Sequence, residues 1–269
     1  MYQPLLLRGP FTPDHKSNRM HNEGDVIGAR EYFIKHHPSN LAHLLHQRFS
    51  WMNEYIPEGT RAIELGSGAG FSQMFIKQPI IMSDVEPRPW VNQVVNALDL
   101  DFPDDSFDVV ICSHMIHHLA KPLQFFERVS RILKPGGRLL INEINTALLM
   151  RLLLRIMNHE GWSYKADVFD PNAIANDPAD PWSANCAIPQ LLFDDLATFE
   201  VKVPCFRVER HEMSECFVFP LSGGVIAKTR TINLPEPVLR AVDVLDGILI
   251  KLMPAVFPMA RRVVLRRVL

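Results

Sequence analysis

The run Ala62-Ile63-Glu64-Leu65 empties directly into Gly66-Ser67-Gly68-Ala69-Gly70, three glycines at alternate positions behind a short apolar segment. Glycines there let the backbone turn sharply and approach a ligand, and a helix starting after them offers unpaired N–H groups. Further short apolar runs follow. Arg61–Leu65, Pro79–Ser83, Val109–Cys112 and Arg138–Asn142 are expected strands, with helical stretches expected over Phe71–Lys77 and His117–Leu133. Asp104-Asp105-Ser106 and Pro135-Gly136-Gly137 supply turns between them. Strands alternating with helices at this spacing indicate βαβ units and a parallel sheet covered on both faces.

On either side the pattern changes. Residues 1–20 lack periodicity and read as an extended arm. From Asp25 to Tyr55 the pattern is helical, with Leu41, Leu44, Leu45, Arg48 and Phe49 at three- and four-residue steps and Ser39 as an expected N-cap. Thr146–Met157 is an apolar helical segment, and residues 158–189 are polar and rich in proline. Pro204–Phe219 reads as a strand. Val or Leu at 238, 242, 245, 249 and 252 makes Pro235–Met253 an amphipathic helix, and Arg261–Leu269 reads as a final edge strand. The expected organisation is an arm with helices covering the site (1–55) and a main domain (56–269) carrying an insertion at about 146–200.

Composition narrows the partners. A net charge of −2 gives no basic excess, so nucleic acid is not an expected partner. Cys112, Cys186, Cys205 and Cys216 contain no C-x-x-C pair, which suggests free thiols in a reducing compartment. The apolar part of Met1–Phe11 is too short for a secretory signal, and no uninterrupted apolar stretch approaches the ~20 residues needed to span a bilayer. The expected location is the cytoplasm. The helix at Thr146–Met157 and the basic residues Arg261, Arg262, Arg266 and Arg267 admit either peripheral membrane contact or packing in the core or a homodimer face.

Two details choose the ligand of the glycine turn. The dinucleotide fingerprint G-x-G-x-x-G needs glycine at position 71, where this chain has Phe71. Glu64 stands two residues before the first glycine. A carboxylate there repels a pyrophosphate but accepts hydrogen bonds from the ammonium of an amino acid. S-adenosylmethionine carries that ammonium and no phosphate. Asp84, at the end of the second strand, can chelate ribose hydroxyls, with Glu86 as alternate.

Glu64-Leu65-Gly66-Ser67-Gly68-Ala69-Gly70, Phe102-Pro103-Asp104-Asp105-Ser106-Phe107-Asp108 and Arg131-Ile132-Leu133-Lys134-Pro135-Gly136-Gly137 together resemble the ordered signature of class I S-adenosylmethionine-dependent methyltransferases. The likeness is to the type 11 group and covers roughly residues 58–145. It implies a Rossmann-like α/β fold, a doubly wound, mostly parallel seven-stranded sheet with one antiparallel strand at the edge. It also implies cofactor contacts from Glu64, Gly66, Ser67, Gly68 and Asp84, adenine framed by Ala97 and Leu98, and Ser113 and His114 beside the methionine moiety. The acid common at the adenine position aligns with Asn96, leaving Asp99 as a displaced substitute.

Methyl transfer needs a general base only where the acceptor atom loses a proton. His114 and His117, just beyond the fourth strand, are the candidate catalytic residues, while the resemblance implies a packing position for His118. Positions 114, 117 and 118 would share a helical face, but no carboxylate spacing completes a metal site, so none is expected. His159, Trp162, Trp182 and Asn185, with Tyr164, are the expected substrate-binding wall, and Pro220-Leu221-Ser222-Gly223-Gly224 a turn able to close the same pocket. The expected function is S-adenosylmethionine-dependent methylation, at oxygen, of a small-molecule or saccharide- or lipid-linked acceptor. The alternative is a non-catalytic S-adenosylmethionine-binding protein. A nicotinamide oxidoreductase is disfavoured by Phe71 and Glu64.

Overall fold

A computed structural model describes residues 9–13, 25–158, 160–226 and 229–268. Seven strands form one sheet: β1 (Ala62–Leu65), β2 (Ile81–Asp84), β3 (Gln93–Val94), β4 (Phe107–Ser113), β5 (Leu133–Ile144), β6 (Phe206–Ser214) and β7 (Ala260–Arg267), in the order β3-β2-β1-β4-β5-β7-β6. β3 through β5 are mutually parallel. The chain runs outward from β1 to β3, then returns to build β4 and β5 on β1's other side. That reversal opens a crevice beyond the carboxyl ends of β1 and β4.

The central strands β1 and β4 and the second half of β5 are buried on both faces, as their apolar runs require, while β3 and β6 at the two edges are exposed or half-buried along most of their length. In β4, Val110 and Cys112 point to one layer, Val109 and Ile111 to the other. The first layer is covered by α3 (Pro122–Ile132), whose Phe125, Phe126, Val129 and Ile132 recur at helical spacing and are fully buried. α5 (Ile188–Phe193) and α6 (Leu196–Lys202) add Phe193 and Phe199 against Phe126. Opposite, α1 (Val26–His36) and α2 (Ser39–Phe49) bury Phe33, Leu41, Leu44 and Leu45. α4 (Leu148–Met157), α7 (Val218–Ser222) and α8 (Glu236–Leu252) complete the fold.

The expected parallel sheet and its antiparallel edge region are present, and several details differ for identifiable reasons. The antiparallel strand is β7, which lies between β5 and β6, so the strand expected from Arg261 onward is not the outermost one. Arg261 is consequently fully buried, bonded to Pro189, Asn145 and Asp194. Arg262 donates to the Gln47 carbonyl, Arg266 pairs with Glu209 and Arg267 with Asp105. Each of these side chains has a partner within the fold, although Arg266 stays exposed. Among the described residues, no helix is long and apolar enough to cross a membrane.

Phe71–Lys77 forms only a 3-10 turn at Ser72–Met74, because the Lys77 N–H is taken by the Asn53 side chain (2.8 Å) instead of continuing a helix. The expected helix from His117 splits into a 3-10 turn at Ile116–His118 and α3, since Pro122 holds Lys121 out of helical geometry. Pro135-Gly136-Gly137 lies inside β5 as an irregularity, with Gly136 at φ +77°. Ser39 sits inside α2 after Pro38, its hydroxyl bonding Leu234 instead of capping. The expected strand to Phe219 stops at Ser214, where the Asp246 carboxylate of α8 captures the N–H groups of Cys216, Phe217 and Val218 and starts α7. Residues 1–8 and 14–24 of the expected arm lie outside the described residues; Phe11 pairs with Trp162 through two backbone hydrogen bonds.

Candidate functional site

A cavity of about 650 Å³ lies at the crevice and brings together Glu64, Gly66, Ser67, Gly68, Asp84, Ala97, Leu98, Ser113, His114, His117 and Trp182. That volume suits a small organic ligand. The glycine turn shapes one end. Gly66, Gly68 and Gly70 all adopt positive φ (73°, 50° and 66°), conformations L side chains rarely tolerate. A Cβ on Gly66 would lie 2.6 Å from Met115 Cγ, so glycine is required both for conformation and for space.

The turn is clamped from outside. Arg30 of α1 donates to the carbonyls of Ala69 (2.7 Å) and Gly70 (3.0 Å), and the Trp90 indole donates to Gly68 (2.9 Å). Its N–H groups meet the second strand: Ser67 bonds the Ser83 carbonyl and Gly68 the Asp84 carboxylate, the latter at 2.8 Å. Asp84 also accepts from Glu86 N (3.2 Å) and pairs with Arg88 at 3.0 Å. It therefore braces the turn as well as facing the cavity.

Glu64 is 2% exposed, and Ser72 donates to its Oε2 at 2.5 Å. Burial pushes its pKa up to about 8, with Asp84's charge adding to the shift against the Ser72 and Ser67 hydrogen bonds. Among the described residues no cation is paired with it. A buried carboxylate short of a cation is the donor set an ammonium group satisfies.

On the adenine side, Ala97 and Leu98 frame the cavity. Asn96 lines it too, but its Oδ1 accepts from Leu98 N (2.9 Å), closing its own turn. Asp99 is exposed and does not line the cavity, so it is no substitute for the missing acid.

At the other end stand the histidines. His114 adopts φ +51°, and its buried Nε2 has no hydrogen-bond partner among the described residues. Burial, reinforced by Arg48's charge, holds its pKa well below the usual imidazole range, leaving a neutral ring. His117 is 2% exposed, with Nδ1 2.7 Å from Glu143 Oε2 and Nε2 3.6 Å from Glu160 Oε2. Burial opposes its charge, yet Glu143 and then Glu160 outweigh it and raise the pKa to about 10. Burial and the neighbouring His117 push His118 down to about 4; its Nδ1 is 3.2 Å from the Ser183 carbonyl. Glu143, fully buried in β5, also accepts from Met115 N (2.6 Å) and Ile116 N (2.5 Å), tying the loop after β4 to the next strand.

The polar segment after α4 is anchored to that loop. Asp167, Asp170, Asp177 and Asp180 each accept from the backbone N–H two residues on, a succession of Asx turns that gives a proline-rich stretch definite shape. Asn176 donates to the carbonyls of His117 and Leu119, and Asn185 N donates to His117. Trp182 lines the cavity beside His118, their ring centroids 6.4 Å apart. Trp162 does not line it: it is 1% exposed, stacks with Phe11 and donates to Gly9. Asn185 is also structural, its amide bonded to Ser163 and Ala187, and Tyr164 bonds Thr146 beside a second cavity. His159 lies outside the described residues. Gly223 ends α7 at φ +77°; of the turn at 220–224 only Gly224 lines the cavity, beside Phe219 and Ile226.

Sequence reading missed Arg30, Trp90 and Glu143. Glu143 had a signal, an acid near the end of a core strand, one residue beyond the position paired with Ser113; Arg30 and Trp90 had none, since their partners are backbone carbonyls distant in sequence.

Strand order and a glycine-lined crevice at the switch point define the class: a class I, Rossmann-like methyltransferase fold. Residues 64–141 match the family model described as a methyltransferase domain, so this part of the chain is similar to that family. S-adenosylmethionine is the cofactor such a domain binds, and the donor set above fits it. A ubiquinone/menaquinone biosynthesis C-methyltransferase from Vibrio campbellii is 27% identical over 164 residues, 52% of this chain and 63% of that protein. A ubiquinone biosynthesis O-methyltransferase from Xylella fastidiosa is 24% identical, covering 42% of this chain and 54% of that protein. These matches take in less than two thirds of either relative's length. A solved S-adenosylmethionine-dependent methyltransferase from Archaeoglobus fulgidus shares the fold, with TM-score 0.50, 16% identity and coverage of 83% of this chain and 93% of that one.

Proposed function

We propose that this protein transfers a methyl group from S-adenosylmethionine to oxygen on a small, largely apolar acceptor. The observation that carries the reading is one cavity joining the phosphate-free glycine crevice to a histidine–carboxylate cluster. When bound, the donor supplies an electrophilic methyl on a sulfonium. Glu64 would hold its ammonium, Asp84 its ribose, and Ala97 and Leu98 its adenine. Met150, Leu153, Leu154 and Met157 of α4, with Trp182 and Phe219, wall the acceptor end and exclude water. His114, neutral and with Nε2 unbonded among the described residues, can take a proton from an acceptor hydroxyl or orient it. His117 is held by Glu143 and orients the acceptor instead. Apolar ring acceptors, of the kind that methyltransferases named for ubiquinone biosynthesis suggest, suit such a pocket; saccharides suit its apolar wall less.

The helices within residues 1–55 supply Val26, Leu45, Arg48 and Phe49 to the cavity wall, which favours treating that segment as the site's cover, followed by a main domain (56–269) with its insertion at about 146–200. Incubating the purified chain with S-adenosylmethionine and hydroxylated quinols, phenols or cell extract, and following S-adenosylhomocysteine by mass spectrometry, tests the activity. Acceptor-dependent product with a gain of one methyl is expected. Donor binding with no product from any acceptor would favour the non-catalytic alternative.

A further inference from the structure

We propose that His117, Glu160 and Cys186 form a divalent-cation site of the zinc type at the acceptor end of the cavity. One atom from each of the three lies within 4.8 Å of the others. Glu160 Oε2 is 3.3 Å from Cys186 Sγ and 3.6 Å from His117 Nε2. Tetrahedral zinc with bonds of about 2.0 Å to nitrogen or oxygen and about 2.3 Å to sulfur sets its ligand atoms roughly 3.3–3.6 Å apart, so these separations already match the edges of a coordination polyhedron. Imidazole, carboxylate and thiolate together are a borderline-soft set that suits zinc better than magnesium or calcium.

The surroundings are those of a built site. His117 and Cys186 are 2% and 0% exposed. His117 presents Nε2 to the cluster because Nδ1 is bonded to Glu143, itself fixed by three backbone N–H groups. A carboxylate behind a ligating histidine fixes its tautomer and orientation. The other two ligands arrive through backbone pairing: Cys186 N donates to the Gly161 carbonyl and Asn185 N to the His117 carbonyl, both at 2.9 Å. This places Glu160, Cys186 and His117 side by side although they are far apart in sequence, which is why the sequence suggested no metal.

Three protein ligands leave a fourth position, as in catalytic zinc sites. His117 and Glu160 line the cavity and Cys186 does not, so the open position faces the acceptor. Resting on the methyltransferase reading, an acceptor hydroxyl takes that place and is oriented by the ion.

The test uses the full chain, stripped with chelator and titrated with cobalt(II) alone. The expected result is one equivalent bound, with visible ligand-field bands of tetrahedral intensity and a near-ultraviolet thiolate-to-cobalt charge-transfer band. Zinc should displace it stoichiometrically. Cys186→Ser should abolish the charge-transfer band while Cys205→Ser leaves it, and Glu143→Gln should weaken cobalt binding by roughly 10–100-fold. Absence of stoichiometric cobalt binding by the wild-type chain, or a bound spectrum without the thiolate band, overturns the site, and neither result depends on how a variant folds. Calorimetry with S-adenosylhomocysteine on the stripped chain separates this from the broader reading: its binding survives failure of the metal site and is lost if the donor assignment is wrong.

Discussion

The Glu64 carboxyl ties donor affinity to pH. Burial raises its pKa to about 8, so at pH 7 about 90% of the free protein carries it protonated. An ammonium group beside it requires the carboxylate, and binding must therefore expel a proton. Affinity should fall about tenfold for each pH unit below about 8, and at pH 7 about 0.9 proton should be released per ligand. Calorimetric titration with S-adenosylhomocysteine, which keeps the ammonium, between pH 5.5 and 7.5 in two buffers of different ionisation heat measures both quantities. Glu64→Gln should remove the pH dependence and weaken binding at pH 7.5 by roughly 10–100-fold, the loss of a hydrogen bond to a charged group. The same burial acts on stability with the opposite sign. A carboxyl whose folded pKa lies above its ordinary 4.5 favours folding at low pH, and that contribution is lost as pH rises from about 4.5 to about 8. Glu64→Gln should thus raise the melting temperature of the ligand-free chain at pH 8 while weakening the donor. Affinity independent of pH, with no proton released, would refute the reasoning.

Other substitutions probe separate parts of the site. Arg30→Ala removes charge-assisted bonds to Ala69 and Gly70 and should weaken S-adenosylhomocysteine by roughly 5–30-fold in calorimetry with a small change in melting temperature. Gly66→Ala combines positive φ with the Met115 contact; it should cost about 1–2 kcal/mol in urea unfolding and lower donor affinity. Glu215→Ala leaves Arg48 buried without its bidentate partner (2.7 and 2.8 Å) and should cost about 3–5 kcal/mol in urea unfolding.

The centre of the sheet was legible because its strands are short, largely apolar runs and the turns between them are rich in glycine, proline and aspartate. The crevice was legible for a related reason: Glu64, Gly66, Gly68 and Asp84 act at strand ends, where position along the chain translates directly into position in space. The strand given by Arg261–Leu269 was placed too far out because alternating Arg and Val reads as half-solvated, whereas Arg261 is buried by three partners from two distant segments, Asn145 and the α5 region. The acceptor wall was harder still. Trp162 and Asn185 have the composition of ligand contacts, but Phe11 and Ser163, distant in sequence or in the same loop, already satisfy them. Glu160 and Cys186 reach His117 only through loop pairing that has no periodicity to reveal it.

The most direct trial of the cavity's chemistry compares two ligands on one sample. Calorimetry should show S-adenosylhomocysteine binding at one per chain and NAD giving no heat of binding, with Asp84→Asn, which keeps an acceptor for Gly68 N–H, lowering the first affinity at least tenfold. Tight NAD binding with no retention of S-adenosylhomocysteine would contradict the account.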